Sequence, residues 1–319
     1  MNYRLSRAAF FGLIYGVSFP ESYIPLASTG NSINIPALFD RYLSTILHVK
    51  CWYEHDMFDP SSKAYRSLKI VRGLHQQVCS QLISYDKSTH DNNNNQTDMK
   101  RLTSNDLFNG VWFSQADMCA TQVAFIGYIL GYPEHIGAQT WKSRDFEAFI
   151  HHWRCVGYCL GIKDEFNLCS GTLEETFSLA YVIFSEQKSR ILKPPIIEGT
   201  RMAEAISKAF FASPRALFRY ASTHFFNSDT NELPLETRRD RFQYAFLDFV
   251  FHRLAFYPFI LWFIGKFFNL FIWIASKNRK LVFKILNKMY SNENYRLEQV
   301  SFCPVNAKVN YKAFADYGL

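Results

Sequence analysis

The residues from Ala64 to Leu82 carry an apolar stripe at the spacing of an α-helix, and a histidine lies on that stripe. In AYRSLKIVRGLHQQVCSQL, the apolar residues that share one helical face are Ala64, Leu68, Val71, Val78 and Leu82. His75 falls on the same face, seven residues after Leu68 and seven before Leu82. The pattern predicts a buried helix that turns one ionisable ring toward the core.

His75 has two interpretations. A buried imidazole needs a partner for each ring nitrogen, and the simpler partner is a backbone carbonyl in the core. A metal is another partner that can lie inside an apolar pocket. Arg72, one helical turn earlier, is a neighbour of His75 on the helix surface. This helix alone favours the core histidine.

The segment from Pro36 to Trp52, PALFDRYLSTILHVKCW, also turns polar residues inward. Its inward stripe contains Leu38, Arg41, Thr45, Val49 or His48, and Trp52. Two consecutive helices with polar groups on their buried faces predict a polar ligand shared between them. A haem fits such a pair, because it takes a histidine at the iron and cationic or hydroxyl donors at its carboxylates.

The pattern Arg41-x-x-x-Thr45 followed by Arg72-x-x-His75 resembles the rubber oxygenase (latex-clearing protein) family. That family includes the fungal oxygenase of mycophenolic acid biosynthesis, which is bound to the endoplasmic reticulum. Three further sequence segments resemble those of the family: Asp59-Pro60 with Tyr65-Arg66-Ser67-Leu68, FSQADMCATQ at 113–122, and HHWRCVGYCLGIKDEFN at 151–167. The resemblance covers roughly residues 20 to 190.

The resemblance implies a haem b on a globin-like helical core, with His75 as the proximal iron ligand. It implies an O₂-dependent cleavage of a carbon–carbon double bond in an isoprenoid or other unsaturated lipid. Arg41, Thr45 and Arg72 match family positions that line or support the haem pocket. The location that the resemblance implies is the membrane of the endoplasmic reticulum.

The sequence departs from the family at two positions. Rubber-cleaving members have a lysine directly before the threonine, and here that position is Ser44, which becomes the catalytic candidate. They also have an arginine four residues after the histidine, and here it is Cys79. Glu21 is the nearest candidate for the family's acidic general base. The alternative function is a non-catalytic, membrane-associated helical protein that binds haem or lipid.

The composition fits a large helical protein with an apolar ligand. The chain has 319 residues, 48% of them hydrophobic and 31 of them Phe, and no run alternates in the manner of a strand. We therefore expect an all-α fold. We place a haem-binding core at residues 1–195, ending at the Pro194-Pro195 break, and a C-terminal helical region at 196–319.

Charge and cysteine content exclude some classes of function. The net charge is +7, with basic residues spread along the chain, whereas nucleic-acid binding needs a denser basic stripe, so we expect no nucleic-acid partner. The seven cysteines are an odd number without the spacing of a disulfide framework, which indicates reduced thiols. The oligomeric state stays open.

The stretch from Leu254 to Ala275, LAFYPFILWFIGKFFNLFIWIA, has about the length that a bilayer core requires. Pro258, Lys266 and Asn269 count against a membrane span. One interpretation is a span, and the other is a helix that lies on the membrane surface with the Lys266 side chain reaching the headgroups. Both predict a membrane-associated protein.

Other segments leave alternatives. The apolar run from Ala8 to Phe19 is too short to span a membrane, and it predicts a packed helix or an interfacial anchor. Gln115 and Gln122 are either pocket residues or structural hydrogen-bonding residues. Arg154 either offers a charge to a haem propionate or pairs with a surface carboxylate, Glu147 or Asp164. The asparagine-rich segment 87–96 predicts an exposed loop.

Overall fold

The computed structural model describes residues 3–17, 20–29, 32, 34–91, 112–191, 197–226, 234–254 and 257–291. Within those ranges the fold is all-α and contains no strand, which confirms the predicted fold class. The globin-like arrangement stays a prediction. The first half of the predicted asparagine-rich loop, residues 87–91, is helical and so differs from the prediction, and residues 92–96 lie outside the described residues.

The helices follow one another along the chain with short connections between most of them. They are α1 Tyr3–Gly16, α2 Pro20–Ser28, α3 Ile35–Glu54, α4 Lys63–Asp91, α5 Gln115–Gly131, α6 Pro133–Ile136, α7 Ser143–Leu160, α8 Leu173–Ile191, α9 Ile197–Ala209, α10 Pro214–Ala221, α11 Arg238–Asp248, α12 Pro258–Lys277 and α13 Arg279–Met289. Short π-helical segments at Ser222–Phe226 and Phe249–Arg253 follow α10 and α11.

The helix α1 is a central element of the core. It packs along α5, and Phe11 and Ile14 are fully buried. At Gly12 the two helices approach so closely that a Cβ atom would overlap the backbone carbonyl of Ala124. The described part of the N-terminal apolar run therefore forms a packed helix and not an anchor on the surface.

The two helices that the sequence pattern singled out pack against each other. The side chain of Asn34 accepts a hydrogen bond from the Ala37 N–H (2.8 Å) at the start of α3, and Pro36 occupies its first turn. On α4, the predicted stripe is buried at Ala64, Leu68, Val78 and Leu82 and partly buried at Val71. The apolar face of α4 thus lies in the core, as the spacing predicts.

The C-terminal region packs onto the same core. The helices α9 and α13 contact α3, and α12 contacts α1. Leu38 of α3 and Ile206 of α9 belong to one continuous cluster of buried apolar residues. The core is therefore continuous across residue 195, and a separate haem-binding unit at 1–195 stays a prediction.

The apolar stretch near residue 260 forms the helix α12. The helix begins at Pro258. The backbone N–H groups of a first helical turn have no partner within the helix, so a proline, which lacks this N–H, does not interrupt the helix there. One described helix, α12, is long and apolar enough to cross a membrane. Only 22% of its most apolar window is buried, so α12 differs from a core helix of a soluble protein.

Candidate functional site

A cavity of about 250 Å³ lies between α1, α2, α3, α4, α5 and α7. Protein interiors contain few voids larger than a water molecule, so a cavity of this size can hold a ligand. Most of its wall is apolar, and the wall includes Leu13, Val71, Leu74, Phe113, Met118 and Phe125. Its polar wall contains Arg41, Ser44, Thr45, His48 and His75. Four of the five predicted site residues, Arg41, Ser44, Thr45 and His75, thus line one cavity.

His75 lies on the cavity wall with neither ring nitrogen bonded to a described residue. Its Nδ1 is enclosed by protein and has no hydrogen-bond partner among the described residues, and its ring centroid is 5.6 Å from that of Phe113. Burial, and then the charge of Arg41, lower the pKa of His75 to about 4. The ring is therefore neutral at physiological pH, which is the form that binds metals. A core histidine would have a backbone carbonyl as partner, and none of the described residues supplies one.

Arg41 fixes the end of α2 to α3 and still has free donors. Its Nη1 donates to the carbonyl of Leu26 (2.8 Å) and to the hydroxyls of Thr29 and Ser32 (2.9 Å each). Neither Nε nor Nη2 of Arg41 bonds to a described residue. Because the side chain lines the cavity, these N–H groups are available to an anionic group inside it.

The hydroxyls of Ser44 and Thr45 are bonded within the protein. Thr45 donates to the Arg41 carbonyl (3.3 Å), and Ser44 donates to the Asp40 carbonyl (2.8 Å). Ser44 also accepts a hydrogen bond from Nη1 of Arg279 (3.0 Å), which comes from α13. Both residues line the cavity, but the hydrogen of each hydroxyl is directed to the backbone of α3. A catalytic role for Ser44 stays a prediction.

Two other candidates, Arg72 and Glu21, differ in what the structure describes of them. Arg72 lies on the exposed face of α4, where its Nη1 donates to the carbonyl of Cys159 (3.4 Å). It therefore joins α4 to the end of α7, and only a supporting role in the pocket is compatible with this position. The backbone of Glu21 belongs to α2, but its side chain lies outside the described residues. Its neighbour Ser22 does line the cavity.

His48 is a cavity residue that the sequence pattern left as an alternative to Val49. Both side chains are buried, but only His48 lines the cavity. Burial, and then the charge of Arg279, lower the pKa of His48 to about 4. The spacing within α3 gives no decisive signal, because His48 lies four residues from Ser44 and Val49 lies four residues from Thr45.

The two glutamines of α5 are structural. The side-chain amide of Gln122 donates to the Trp153 carbonyl (2.9 Å) and accepts from the Leu168 N–H (3.1 Å). Gln115 makes the same two kinds of bond to the loop after α7. Both amides join α5 to the segment around α7, although Gln122 also contributes to the cavity wall.

Arg154 pairs with a surface carboxylate. Its Nε donates to Oδ1 of Asp164 (2.9 Å), and its Nη2 contacts Oδ2 of the same carboxylate. Both side chains are exposed, and Arg154 does not line the cavity. The salt-bridge interpretation with Asp164 therefore describes this residue.

The cavity residues fit a haem better than a bare metal ion. Within the described ranges, no group of three or more His, Cys, Asp or Glu side chains could hold a metal ion. A haem needs only one or two axial side chains, because its macrocycle supplies four ligands. His75 is neutral and bonds to no described residue, Arg41 has free N–H donors for a carboxylate, and the remaining wall is largely apolar.

No protein-family model, no curated protein and no solved structure matches this chain. The resemblance to the rubber oxygenases thus rests on the motifs quoted above. What supports a function is the cavity and the chemistry of its wall.

Proposed function

We propose that the protein is a haem-dependent oxygenase that cleaves a carbon–carbon double bond in an isoprenoid or other unsaturated lipid. One observation carries the proposal: His75 is neutral and lacks a described hydrogen-bond partner on the wall of a large, mostly apolar cavity. Such a ring would be able to hold the iron of a haem. The resemblance of the motifs around Arg41 and His75 supplies the type of reaction.

His75, Arg41, Thr45 and the apolar wall have different roles in this proposal. His75 would hold haem b, and the free N–H groups of Arg41 would bind a carboxylate of that haem. Thr45 holds the backbone of Arg41 in place. The apolar wall excludes water and accepts a hydrocarbon chain. When bound, the haem supplies the dioxygen chemistry, which the protein side chains cannot supply themselves.

We further propose that the protein works at a membrane, the source of its apolar substrate. The outer face of α12 exposes aromatic rings, among them Phe259 (74%), Phe267 (69%), Trp262 (58%) and Trp273 (58%). Soluble monomers seldom expose so large an apolar patch. Tryptophans are typical of the membrane interface, and Nζ of Lys266 lies 5.4 Å from the Trp262 ring, so its charge can reach the headgroups.

The packing of α12 favours a helix that lies parallel to the membrane surface over a single helix that spans the membrane. Leu261, Gly265, Ile272 and Ala275 are buried against the rest of the protein, so lipid cannot surround the helix. We infer that α12 inserts its exposed face into one leaflet and keeps its packed face on the core. The endoplasmic reticulum as the location follows only from the resemblance.

An absorption spectrum tests the haem assignment. The wild-type protein should show a Soret band that shifts with dithionite and CO, and His75→Gly should lose it. Imidazole added to His75→Gly should restore the band, because it replaces the missing ligand in the space left by the side chain. His48→Gln is the matched control, since it changes the other cavity histidine. Equal haem content in wild type and His75→Gly would show that His75 is not the ligand.

A turnover assay separates the oxygenase from the second candidate, a haem- or lipid-binding protein without turnover. The observation that favours the second candidate is that the Ser44 hydroxyl is bonded to Asp40 and Arg279. Haem-loaded protein should be incubated with farnesyl-bearing lipids under O₂, and the products analysed by mass spectrometry. Aldehyde or ketone fragments that require haem support the oxygenase. Stable haem binding without O₂ consumption supports the binding protein.

A further inference from the structure

Three buried side chains form a hydrogen-bonded chain beside the cavity. Nδ1 of His48 lies 2.7 Å from Oγ of Ser67, and Nε1 of Trp52 donates to the same oxygen at 2.8 Å. His48 and Trp52 belong to α3, and Ser67 belongs to α4. Ser67 is 1% exposed, so its hydroxyl has to find its partners inside the protein.

The position of each hydrogen in this hydrogen-bonded chain follows from whether each group can donate or accept a hydrogen bond. The indole N–H of Trp52 can only donate, so it occupies one lone pair of the Ser67 oxygen. The Ser67 hydroxyl hydrogen then needs an acceptor, and Nδ1 of His48 is the only one that it has among the described residues. Ser67 therefore donates to Nδ1. A neutral imidazole with an accepting Nδ1 carries its hydrogen on Nε2.

The ring of His48 is neutral because burial and Arg279 both disfavour its charged form. Its Nε2–H bonds to no described residue, and the side chain lines the cavity. A donor on the cavity wall loses the acceptor that water supplies when a hydrocarbon covers it, and this loss is unfavourable. The cavity thus presents a fixed N–H donor at a defined point of a mostly apolar wall.

We propose that the Nε2–H of His48 donates a hydrogen bond to an oxygen of the ligand, so that the cavity selects lipids with an acceptor oxygen over plain hydrocarbons. That the ligand is an unsaturated lipid rests on the proposed function; the selection for oxygen rests on His48, Ser67 and Trp52. His48 is a specificity residue in this scheme. Its contribution is a neutral hydrogen bond, so it does not require a charged ligand.

A matched pair of ligands tests the selection. Farnesal and β-farnesene are both C15 isoprenoids, and only farnesal carries a carbonyl oxygen. Their binding can be followed by tryptophan fluorescence, because Trp52 and Trp153 line the cavity. We expect the preference for farnesal to be about fivefold to tenfold greater in wild type than in His48→Phe, which has no donor. His48→Gln, which keeps an N–H donor, should recover part of the preference.

A measurement on the wild-type protein keeps the inference testable if His48→Phe does not fold. Selective ¹⁵N labelling of histidine followed by long-range ¹H–¹⁵N spectra identifies the tautomer of each ring. We expect His48 to carry its hydrogen on Nε2, and Ser67→Ala to remove that restriction. A hydrogen on Nδ1 in the wild type would overturn the inference, as would equal ligand preference in wild type and His48→Phe.

The outcomes also separate this inference from the proposed function. If the protein shows no Soret band but prefers farnesal through His48, the oxygenase is wrong and the oxygen-selecting cavity stands. If the Soret band depends on His75 but the preference does not depend on His48, the inference is wrong and the haem site stands. In that case an ordered water satisfies the His48 donor.

Discussion

Nη1 of Arg279 lies 2.9 Å from Oδ1 of Asp40, and the two residues are 239 positions apart in the sequence. The same nitrogen donates to Oγ of Ser44 on the cavity wall. Arg279 is the first residue of α13 and follows the apolar helix α12 directly. Through this contact, α13, which follows the helix that we propose to lie at the membrane, is joined to α3 on the polar side of the cavity.

The first prediction concerns this contact. Arg279→Gln removes the charge that helps to lower the pKa of His48, so the pKa of His48 should rise toward its usual value. The effect on stability should be small, at most about 1 kcal/mol, because the ion pair is partly exposed and screened by solvent. An NMR titration of His48 and a denaturant titration measure the two effects.

The control for Arg279 is Arg154→Gln, which removes an arginine from the exposed pair with Asp164, and Arg154 does not contribute to the pKa shift of His48. We expect no change in the His48 titration in that variant. An unchanged His48 titration in Arg279→Gln would show that the two side chains do not interact in solution.

The second prediction is that stability falls as the pH decreases from about 6.5 toward 4. The pKa of His48 is about 4 in the folded protein and 6.5 in an unfolded chain, so the unfolded state binds more protons in this interval. The stabilisation is fully present above pH 6.5 and is lost on acidification. For His48 alone, the free energy of unfolding should be about 2 kcal/mol lower at pH 5 than at pH 7.

His152 should add to this effect, because burial and then His151 lower its pKa to about 4 as well. Denaturant titrations at pH 7 and pH 5 measure the slope, and His48→Gln should reduce it. A stability that is constant between pH 7 and pH 5 would contradict the burial of these rings.

The sequence predicts the parts of the site that lie within one helix. The stripe on α4 identifies the buried face with His75, because a period of 3.6 residues fixes which side chains share a face. The capping box of Ser114 and Asp117 at the start of α5 is likewise local, because both residues lie within one helical turn. Arg72 shows where such reasoning fails. It lies three residues from His75 but on the exposed face of α4. Its hydrogen-bond partner, the carbonyl of Cys159, belongs to α7, and the position of α7 depends on tertiary packing.

Sequence periodicity does not predict the interactions between helices. His48 and Val49 are neighbours in the chain and both buried, so the pattern cannot tell which of them faces a cavity. The partner of His48, Ser67, lies on another helix, and Arg279 comes from a distant part of the chain. These contacts depend on how α3, α4 and α13 pack, which the spacing within one helix does not specify.

The third prediction tests the close contact between α1 and α5. Gly12→Ala should destabilise the protein by about 1–3 kcal/mol or more, because the new methyl group meets the rigid backbone of Ala124. Gly73→Ala is the matched control in the middle of α4, where an added Cβ atom meets nothing within 4 Å. The control should stabilise the protein by about 0.5–1 kcal/mol, since alanine favours the helix. Thermal or denaturant unfolding compares the two variants.

The last prediction is that the exposed face of α12 holds the protein on lipid. Replacing Phe263 and Phe267 with serine should remove most of the binding in a vesicle flotation assay, because each exposed ring would otherwise bury its apolar area in the bilayer. The fold should persist, since neither side chain packs into the core. Tyr181→Ser is the matched control, because Tyr181 is equally exposed but lies on α8. Vesicle binding that is unchanged in the double variant, or a wild-type protein that stays monomeric in solution without detergent, would rule out α12 as the membrane contact.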